Sequence, residues 1–161
     1  MLIRQAHQSE AMELSRIALS SKAHWGYSDA LLALWAEDLR IDRHYIAENA
    51  VFVGEIDGQV LGVIGLSGGP RQWELDHLWV RPTAMRRGVG AALFAHGCRH
   101  AAQAGASRLR VESDPNALGF YQHLGGTLVG EAPSKPPGRR LPVLMFDLPL
   151  GSDRTAAPAS S

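Results

Sequence analysis

Cysteine is nearly absent from this chain, since Cys98 is the single one among 161 residues. One cysteine excludes a disulfide within the chain and a zinc site built from several thiolates. Long apolar runs are also missing: stretches such as 30–36 are far shorter than the ~18 residues that cross a membrane. The first residues, 1–7, do not combine a basic segment with an apolar stretch. We therefore expect no membrane association, no signal peptide and a cytoplasmic location.

Net charge is absent as well. Sixteen Lys and Arg residues balance sixteen Asp and Glu residues, whereas a protein that binds nucleic acid through bulk charge carries an excess of basic residues. We therefore expect no nucleic-acid partner. The length and the 45% hydrophobic content predict one globular domain over 1–150 with a core of ordinary size. The polar residues 151–161 predict a disordered tail.

Hydrophobic periodicity predicts alternating helices and strands. A short strand at 2–4 precedes two helical patterns, the second of which opens with the N-cap pair Ser28 and Asp29. Asp57-Gly58 predicts a hairpin turn between strands at 51–56 and 60–66. The other predicted elements are a strand at 72–80, a helix at 89–104, a strand at 108–112, a short helix after Asp114-Pro115, and strands at 127–130 and 141–148. This order predicts one mixed α/β (α+β) domain on a single sheet.

The stretch 78–93 carries the strongest chemical signal. A strand leads into a loop that contains Arg86 and Arg87, and then Gly88 and Gly90 open a helix. Glycine lets the backbone turn tightly and lets a ligand approach it closely. A helix start offers unpaired N–H groups and partial positive charge, and arginines add cationic donors. The loop predicts a phosphate site; the alternative is a solvated loop whose glycines only cap the helix.

Two well-known phosphate motifs do not fit this loop. A P-loop needs Lys and then Ser or Thr after its second glycine, but Ala91 and Ala92 follow Gly90. A Rossmann fingerprint needs glycines directly after the strand and a small residue where Leu93 stands.

The segment Met85–Gly90 followed by Ala91 resembles the acyl-CoA pyrophosphate loop of the GNAT N-acetyltransferases, whose pattern is Gln/Arg-x-x-Gly-x-Gly/Ala. The Val-x-Pro sequence that starts at Val80 is typical of that family. So is Asn116 followed five residues later by Tyr121. Met85 departs from the pattern, but the family binds mainly through backbone N–H groups in this loop, so the resemblance still implies binding.

The resemblance covers residues 51–129 at the level of motifs, and the predicted order of elements matches the family fold over 2–148. That fold is a central, mostly antiparallel twisted sheet flanked by helices. The resemblance implies acetyl-CoA as co-substrate and direct transfer of its acetyl group to the amine of a small molecule or peptide. It also implies a monomer or a homodimer.

Roles for individual residues follow from the same resemblance. Backbone N–H groups of 85–90 would hold the CoA pyrophosphate, and the main chain of 78–80 would pair with the pantetheine arm and offer an N–H to the oxyanion. Asn116 would hydrogen-bond the pantetheine or the neighbouring turn, and Tyr121 would protonate the CoA thiolate. The cofactor-binding residues implied in this way are Leu78, Trp79, Val80, Met85, Arg86, Arg87, Gly88, Val89, Gly90, Ala91, Asn116 and Phe120.

An amine acceptor also requires a base, because an amine with a pKa of about 10 is almost entirely protonated near neutral pH. Glu74 lies where histone-type members of the family carry their catalytic glutamate, counted back from the glycine loop. Asp76 or His77 on the same predicted strand are alternatives that could act through water. The carboxylates Glu74 and Asp76 also favour a cationic acceptor.

Several of these residues also have structural interpretations. Tyr121 can simply pack in its helix, and Asn116 can cap it. Trp25 and Tyr27 flank a glycine where the family often builds its acceptor pocket, but they can equally plug the core.

Two further questions stay open at the level of sequence. His96 and His100 have a metal-compatible spacing, but no third ligand is apparent nearby, so we expect a surface pair and no metal. The alternative to an enzyme is a non-catalytic acyl-CoA-binding sensor or partner module. Transfer to oxygen, or of a longer acyl group, also remains open.

Overall fold

The computed structural model describes residues 1–149, so the predicted tail at 151–161 lies outside the described residues. The strands are β1 (Leu2–Gln5), β2 (Ala50–Ile56), β3 (Gln59–Ser67), β4 (Gln72–Val80), β5 (Arg108–Glu112), β6 (Thr127–Pro133) and β7 (Arg140–Asp147). The α-helices are α1 (Ala11–Ala23), α2 (Asp29–Leu39), α3 (Arg43–Glu48), α4 (Val89–Gln103) and α5 (Leu118–His123).

The strands of the described chain form one sheet in the order β1-β2-β3-β4-β5-β7-β6. Neighbouring strands are antiparallel, except that β4 and β5 are parallel. This arrangement confirms the predicted mixed fold with a mostly antiparallel sheet. The β2–β3 hairpin turns at Asp57 and Gly58, whose φ angles of 52° and 79° suit the two-residue turn that the sequence predicts.

Helices cover both faces of the sheet. Because successive residues of a strand point to opposite sides, neighbouring residues of β3 pack against helices on opposite faces. In β3, Val63 belongs to the buried cluster that contains Leu14 and Ile17 of α1. Its neighbour Ile64 belongs to the cluster that contains Leu93 of α4. All five side chains are fully buried, so the core has one layer on each side of the sheet.

Helix α3 is the element that the sequence did not predict. Its N-cap Asp42 accepts a hydrogen bond from the backbone N–H of Tyr45 at 2.7 Å. With six residues the helix is too short to show an apolar repeat, which needs a window of about 11–18 residues. It brings the Tyr45 hydroxyl to Asp76 of β4, at 2.6 Å.

Strands β4 and β5 separate halfway along β4. They pair from Gln72 to Leu75 against Arg108 to Val111, but β4 continues to Val80. From Asp76 onward, the edge of β4 that faces β5 therefore has no strand partner. The backbone groups on that edge are available to a ligand that lies extended along the strand.

A β-bulge lies at the point of separation. Gly65 of β3 pairs with His77, and the next residue, Leu66, pairs with Leu75. Asp76 consequently has no partner across the ladder. Bulges of this kind redirect side chains and are common beside active sites.

Candidate active site

A groove of about 1060 Å³ opens where β4 and β5 separate. We call it the β4–β5 groove. It is bordered by β4 from Glu74 to Val80, by the loop and first turn of α4, by α5, by the C-terminal end of α1, and by the loop between β6 and β7. The sequence-predicted residues that line it are Trp25, Glu74, Asp76, His77, Leu78, Trp79, Val80, Met85, Arg86, Gly88, Val89, Gly90, Ala91, Asn116, Phe120 and Tyr121.

The loop between β4 and α4 has free backbone donors. Arg86 and Gly88 have φ angles of 63° and 79°, in the left-handed region that glycine favours. The first hydrogen bond of α4 runs from the N–H of Ala92 to the carbonyl of Gly88, at 3.0 Å. Within residues 1–149, the N–H groups of 86–91 consequently have no backbone acceptor. Such donors at the positive end of a helix suit a phosphate group.

Space in front of this loop is open. A Cβ added to Gly88 would meet no atom within 4 Å, whereas one added to Gly90 would touch Phe120 at 3.5 Å and Val80 at 3.6 Å. The predicted pyrophosphate loop therefore has the donors and the room that the group needs, except that the N–H of Met85 donates to the carbonyl of Pro82 at 3.4 Å. Arg86 is exposed and lines the groove, while Arg87 is exposed and lies outside its lining.

Tyr121 projects from α5 into the groove through a buried aromatic cluster. Its side chain is 7% exposed, and its ring contacts Phe94 and Phe120 at centroid distances of 5.9 Å and 5.1 Å. Burial, and secondarily the charge of Asp114, raise the pKa of the Tyr121 phenol above its ordinary value. The phenol is therefore protonated across the neutral range and can donate a proton.

Two carboxylates of β4 line the groove and differ in their surroundings. Glu74 contacts Arg110 of β5 at 3.4 Å, and the same guanidinium contacts Glu112 more closely, at 2.9 Å. Asp76, at the bulge, accepts hydrogen bonds from the hydroxyls of Tyr45 and Ser67 at 2.6 Å and 3.1 Å. Each Asp76 oxygen thus has a donor already, whereas Glu74 is held only by long contacts at the point where the strands separate.

His77 is buried and its imidazole has little capacity as a base. The indole N–H of Trp79 donates to His77 Nδ1 at 3.0 Å, so the lone pair of that nitrogen is engaged. Burial lowers the pKa of His77 to about 4, against a smaller opposing effect of Asp76. His77 is therefore neutral near pH 7 and serves to fix the indole of Trp79 beside the groove.

Stability should fall in mild acid because of His77. The unfolded chain takes up a proton at this residue below pH ~6.5, but the folded chain does so only near pH 4. Between these values the unfolded state binds more protons, so acidification favours unfolding, by about 2 kcal/mol between pH 7 and pH 5. Urea unfolding measured at both pH values checks this.

The matched variant is His77→Gln, which keeps an acceptor for the Trp79 indole but does not titrate. Its unfolding free energy should lose about 2 kcal/mol less than wild type over the same interval. Equal losses in the two proteins would contradict a depressed His77 pKa.

A half-buried polar cluster also borders the groove. We call it the Asp114 cluster; it comprises Lys22, Tyr27, Asp114, Asn116 and Arg139. The ammonium of Lys22 lies 2.5 Å from Asp114 Oδ2, and Arg139 Nη2 lies 3.6 Å from the same oxygen. Burial opposes ionisation of Asp114, but hydrogen bonds from Lys22 and from the N–H of Asn116 outweigh it and lower the pKa of the carboxyl.

Within this cluster the structure places two predicted ligand contacts. Tyr27 lies behind the groove lining, and its hydroxyl is 2.9 Å from Asp114 Oδ2 and 3.1 Å from Asn116 Nδ2. Asn116 also donates to Asp114 Oδ1 at 3.0 Å, so it bonds the neighbouring turn, one of its two predicted partners. Trp25 is 44% exposed at the rim of the groove. Acceptor contact by Trp25 or Tyr27 stays a prediction.

The sequence singles out neither Lys22 nor Arg110. It predicts Asp114 as an N-cap, which the structure shows it to be. Arg139 falls in the loop 134–142, which on the sequence alone could contact the acceptor or only connect two strands. Lys22 lies on the helix face that carries Ala18, and it is 8% exposed. A lysine on an apolar face was the one available signal, since lysines are rarely buried unless paired.

The histidine pair on α4 packs against an aromatic ring. His96 and His100 lie 4.5 Å and 5.0 Å from the ring centroid of Phe52. Within residues 1–149, no group of three or more His, Cys, Asp or Glu residues is placed to hold a metal ion. The helices of that part of the chain are too short or too polar to span a bilayer.

The groove has the features of a group-transfer site for a long, anionic co-substrate. It combines an open strand edge, free N–H donors at a helix start, a protonated phenol and carboxylates. Residues 13–126 match the acetyltransferase (GNAT) family. The chain belongs to this family, which confirms the predicted class, an N-acetyltransferase.

Individual relatives agree with this membership. The peptidyl-lysine N-acetyltransferase YiaC of Escherichia coli (strain K12) is 30% identical over 132 residues, which cover 80% of this chain and 84% of YiaC. A GCN5-related N-acetyltransferase from Rhodopseudomonas palustris has a TM-score of 0.76 at 20% identity, with coverage of 91% and 95% of the two chains.

The PaiA N-acetyltransferase from Thermoplasma acidophilum, solved with coenzyme A, also has a TM-score of 0.76, at 16% identity, and the match covers 91% of this chain and 98% of that one. At these identities the two solved structures show a shared fold. The fold predicted from the sequence is thereby confirmed.

Proposed function

We propose that this protein transfers the acetyl group of acetyl-CoA directly to a primary amine, with Glu74 as base and Tyr121 as acid. The observation that carries the proposal is that the open edge of β4, the free N–H groups of the glycine loop and Tyr121 all border one groove. Family membership supplies the class of reaction.

Acetyl-CoA fits the groove as a co-substrate. The N–H groups of 86–91 and the side chain of Arg86 would hold the pyrophosphate, where the helix start favours negative charge. The main chain of 78–80, unpaired on the β5 side, would hydrogen-bond the amides of the pantetheine arm. This arrangement would place the thioester near the bulge, between Glu74 and Tyr121.

The reaction needs three proton transfers, two from nitrogen and one to sulfur. Glu74 takes the first proton from the acceptor ammonium, directly or through water, and the amine nitrogen attacks the thioester carbonyl carbon. The carbon–nitrogen bond forms while the oxygen takes up negative charge facing an N–H of β4. The nitrogen, now positively charged, loses its second proton to water as the carbon–sulfur bond breaks, and Tyr121 donates its proton to the departing thiolate. Exchange with solvent then reprotonates the Tyr121 phenolate and deprotonates Glu74. Much of the acceleration comes from holding the amine and the thioester together.

The acceptor amine enters between the carboxylates of β4 and the Asp114 cluster. YiaC is named for peptidyl-lysine, so a lysine side chain in a peptide is one candidate acceptor, and a small-molecule amine is the other. Glu74, Asp76 and Glu112 would attract the ammonium form. A cytoplasmic location and a monomeric or homodimeric state stay predictions.

Thiol release from acetyl-CoA, measured against lysine peptides and small amines, tests the proposal. For an acceptor that reacts, we expect Glu74→Gln to lower kcat/KM about 30-fold near pH 7. This is less than the 10²–10⁴ usual for a general base, because Asp76 borders the same groove. The difference from wild type should shrink as the pH approaches the pKa of the amine, since a free amine needs no base.

Glu112→Gln is the matched control, because Glu112 shares Arg110 with Glu74 and is not assigned the proton transfer. We expect an effect below threefold. An equal loss of kcat/KM in both variants would mean that the negative charge of Glu74 and Glu112 matters, and that Glu74 does not act as a base. Acetyl-CoA binding without thiol release for every amine would favour the non-catalytic binding module.

A further inference from the structure

The Asp114 cluster holds more positive than negative charge. Lys22 and Arg139 both contact Asp114, and within residues 1–149 no other carboxylate lies within 4.0 Å of either cation. The exposed fractions of the two side chains are 9% and 16%. Asp114 is ionised, so a wall of the β4–β5 groove carries one largely buried positive charge in excess. Such a charge is unfavourable unless a partner balances it.

Aromatic rings stabilise these cations without neutralising them. Lys22 Nζ lies 4.9 Å from the ring centroid of Trp35, and Arg139 Cζ lies 4.4 Å from it. The indole N–H of Trp35 donates to the carbonyl of Lys135 at 2.9 Å, which fixes the ring between α2 and the β6–β7 loop. The two cations are therefore held in place rather than free to turn toward solvent.

Arg139 also has hydrogen-bond donors left over. Its Nη1 contacts Ser134 Oγ at 3.2 Å and its Nη2 contacts the Tyr27 hydroxyl at 3.3 Å. A guanidinium has five N–H donors in a planar fork that matches the two oxygens of a carboxylate. Because Arg139 and Lys22 both line the groove, their remaining donors can reach a ligand there.

The position of the cluster relates it to the reacting groups. Asp114 is near enough to Tyr121 for its charge to act on the phenol, and the carboxylates of Glu74 and Asp76 line the same groove. An acceptor in the groove can therefore meet both the negative charge of Glu74 and Asp76 and the surplus positive charge of the Asp114 cluster. An amine that itself carries an anion satisfies both.

We propose that the acceptor carries a carboxylate close to its reactive amine, and that Arg139 and Lys22 bind this carboxylate. The proposal rests on the proposed acetyl transfer and narrows its substrate class. The carboxylate belongs either to a free amino acid or to an acidic residue beside the amine in a peptide.

The test compares matched acceptors. Wild type is assayed for thiol release with L-amino acids and their carboxamides, and with amidated lysine peptides that carry Asp or Asn next to the lysine. We expect kcat/KM to be at least about tenfold higher for the carboxylate member of a pair, mainly through KM. The series in which this preference appears identifies the source of the carboxylate.

Arg139→Gln should reduce that preference about tenfold, and Arg139→Lys, which keeps the charge but loses the fork, should reduce it less. Arg140→Gln is the control, because Arg140 is exposed and pairs with Glu131 at 2.9 Å outside the groove. It should keep the wild-type preference. Thermal melts of all three variants show whether each one is folded.

Equal rates for the two members of every pair, or a preference that persists in Arg139→Gln, would overturn the proposal. Acetylation only of amines that carry no carboxylate would overturn it as well. Those outcomes leave acetyl transfer itself intact, because thiol release with any amine still demonstrates it. No thiol release with any amine, by contrast, would count against the proposed function as well.

Discussion

Replacing Tyr121 with phenylalanine should lower kcat by about 10²–10³ while the KM for acetyl-CoA stays within about threefold. The variant keeps the buried ring and its contacts with Phe94 and Phe120 and removes only the proton that we assign to the thiolate. An interaction made only during the reaction lowers kcat, whereas one made in binding raises KM. Initial rates of thiol release, with acetyl-CoA varied at a saturating acceptor concentration, give both parameters.

Tyr45→Phe is the matched control for this substitution. Burial, with a further effect of Asp76, raises the pKa of Tyr45 as well, but its hydroxyl donates to Asp76 and Tyr45 does not line the groove. We expect its kcat to fall by less than about tenfold. A larger loss of kcat in Tyr45→Phe than in Tyr121→Phe would assign the role of acid, or of base, to the Tyr45–Asp76 pair instead.

Replacing Gly88 with valine should raise the Kd for acetyl-CoA at least about 100-fold. Gly88 has a φ of 79°, and a Cβ there would point into open space, in front of the N–H groups that would hold the pyrophosphate. The valine side chain would occupy that space, and a β-branched residue in this backbone conformation costs about 1–2 kcal/mol of stability. Isothermal titration with acetyl-CoA measures the affinity.

Gly105→Val separates these two effects, because Gly105 lies just beyond the other end of α4, has a φ of 99° and is equally open. It carries the same strain but lies outside the groove lining. We expect a similar loss of stability in urea unfolding and an unchanged Kd. Loss of affinity in both variants would assign the effect to weakening of α4, and normal binding by Gly88→Val would place the pyrophosphate elsewhere.

The parts of the site that local sequence determines could be predicted. The glycine loop, the start of α4 and the Asp57-Gly58 hairpin each depend on conformations set by a few adjacent residues. The arrangement of the whole sheet and its helices was predicted from the family resemblance. The resemblance also brought together Glu74 and Tyr121, which are far apart in the chain but border one groove.

What the sequence could not show are contacts between distant segments. The contact between Lys22 and Asp114 joins residues 92 positions apart, and Arg139 reaches them from a loop that has no periodic pattern. The bulge at Asp76 depends on the register against β3, which no local pattern encodes. The surplus positive charge of the Asp114 cluster can therefore be seen only in the folded structure.

The early separation of β4 from β5 also affects the cohesion of the domain. The sheet consists of a four-stranded half, β1 to β4, and a three-stranded half, β5 to β7, joined along the ladder by only four residue pairs. A co-substrate that hydrogen-bonds the open edge of β4 and packs against Tyr121 would bridge the seam between the halves. Bound acetyl-CoA would then hold the two halves of the sheet together. Amide hydrogen exchange along β4 and β5 would slow as the acetyl-CoA concentration rises.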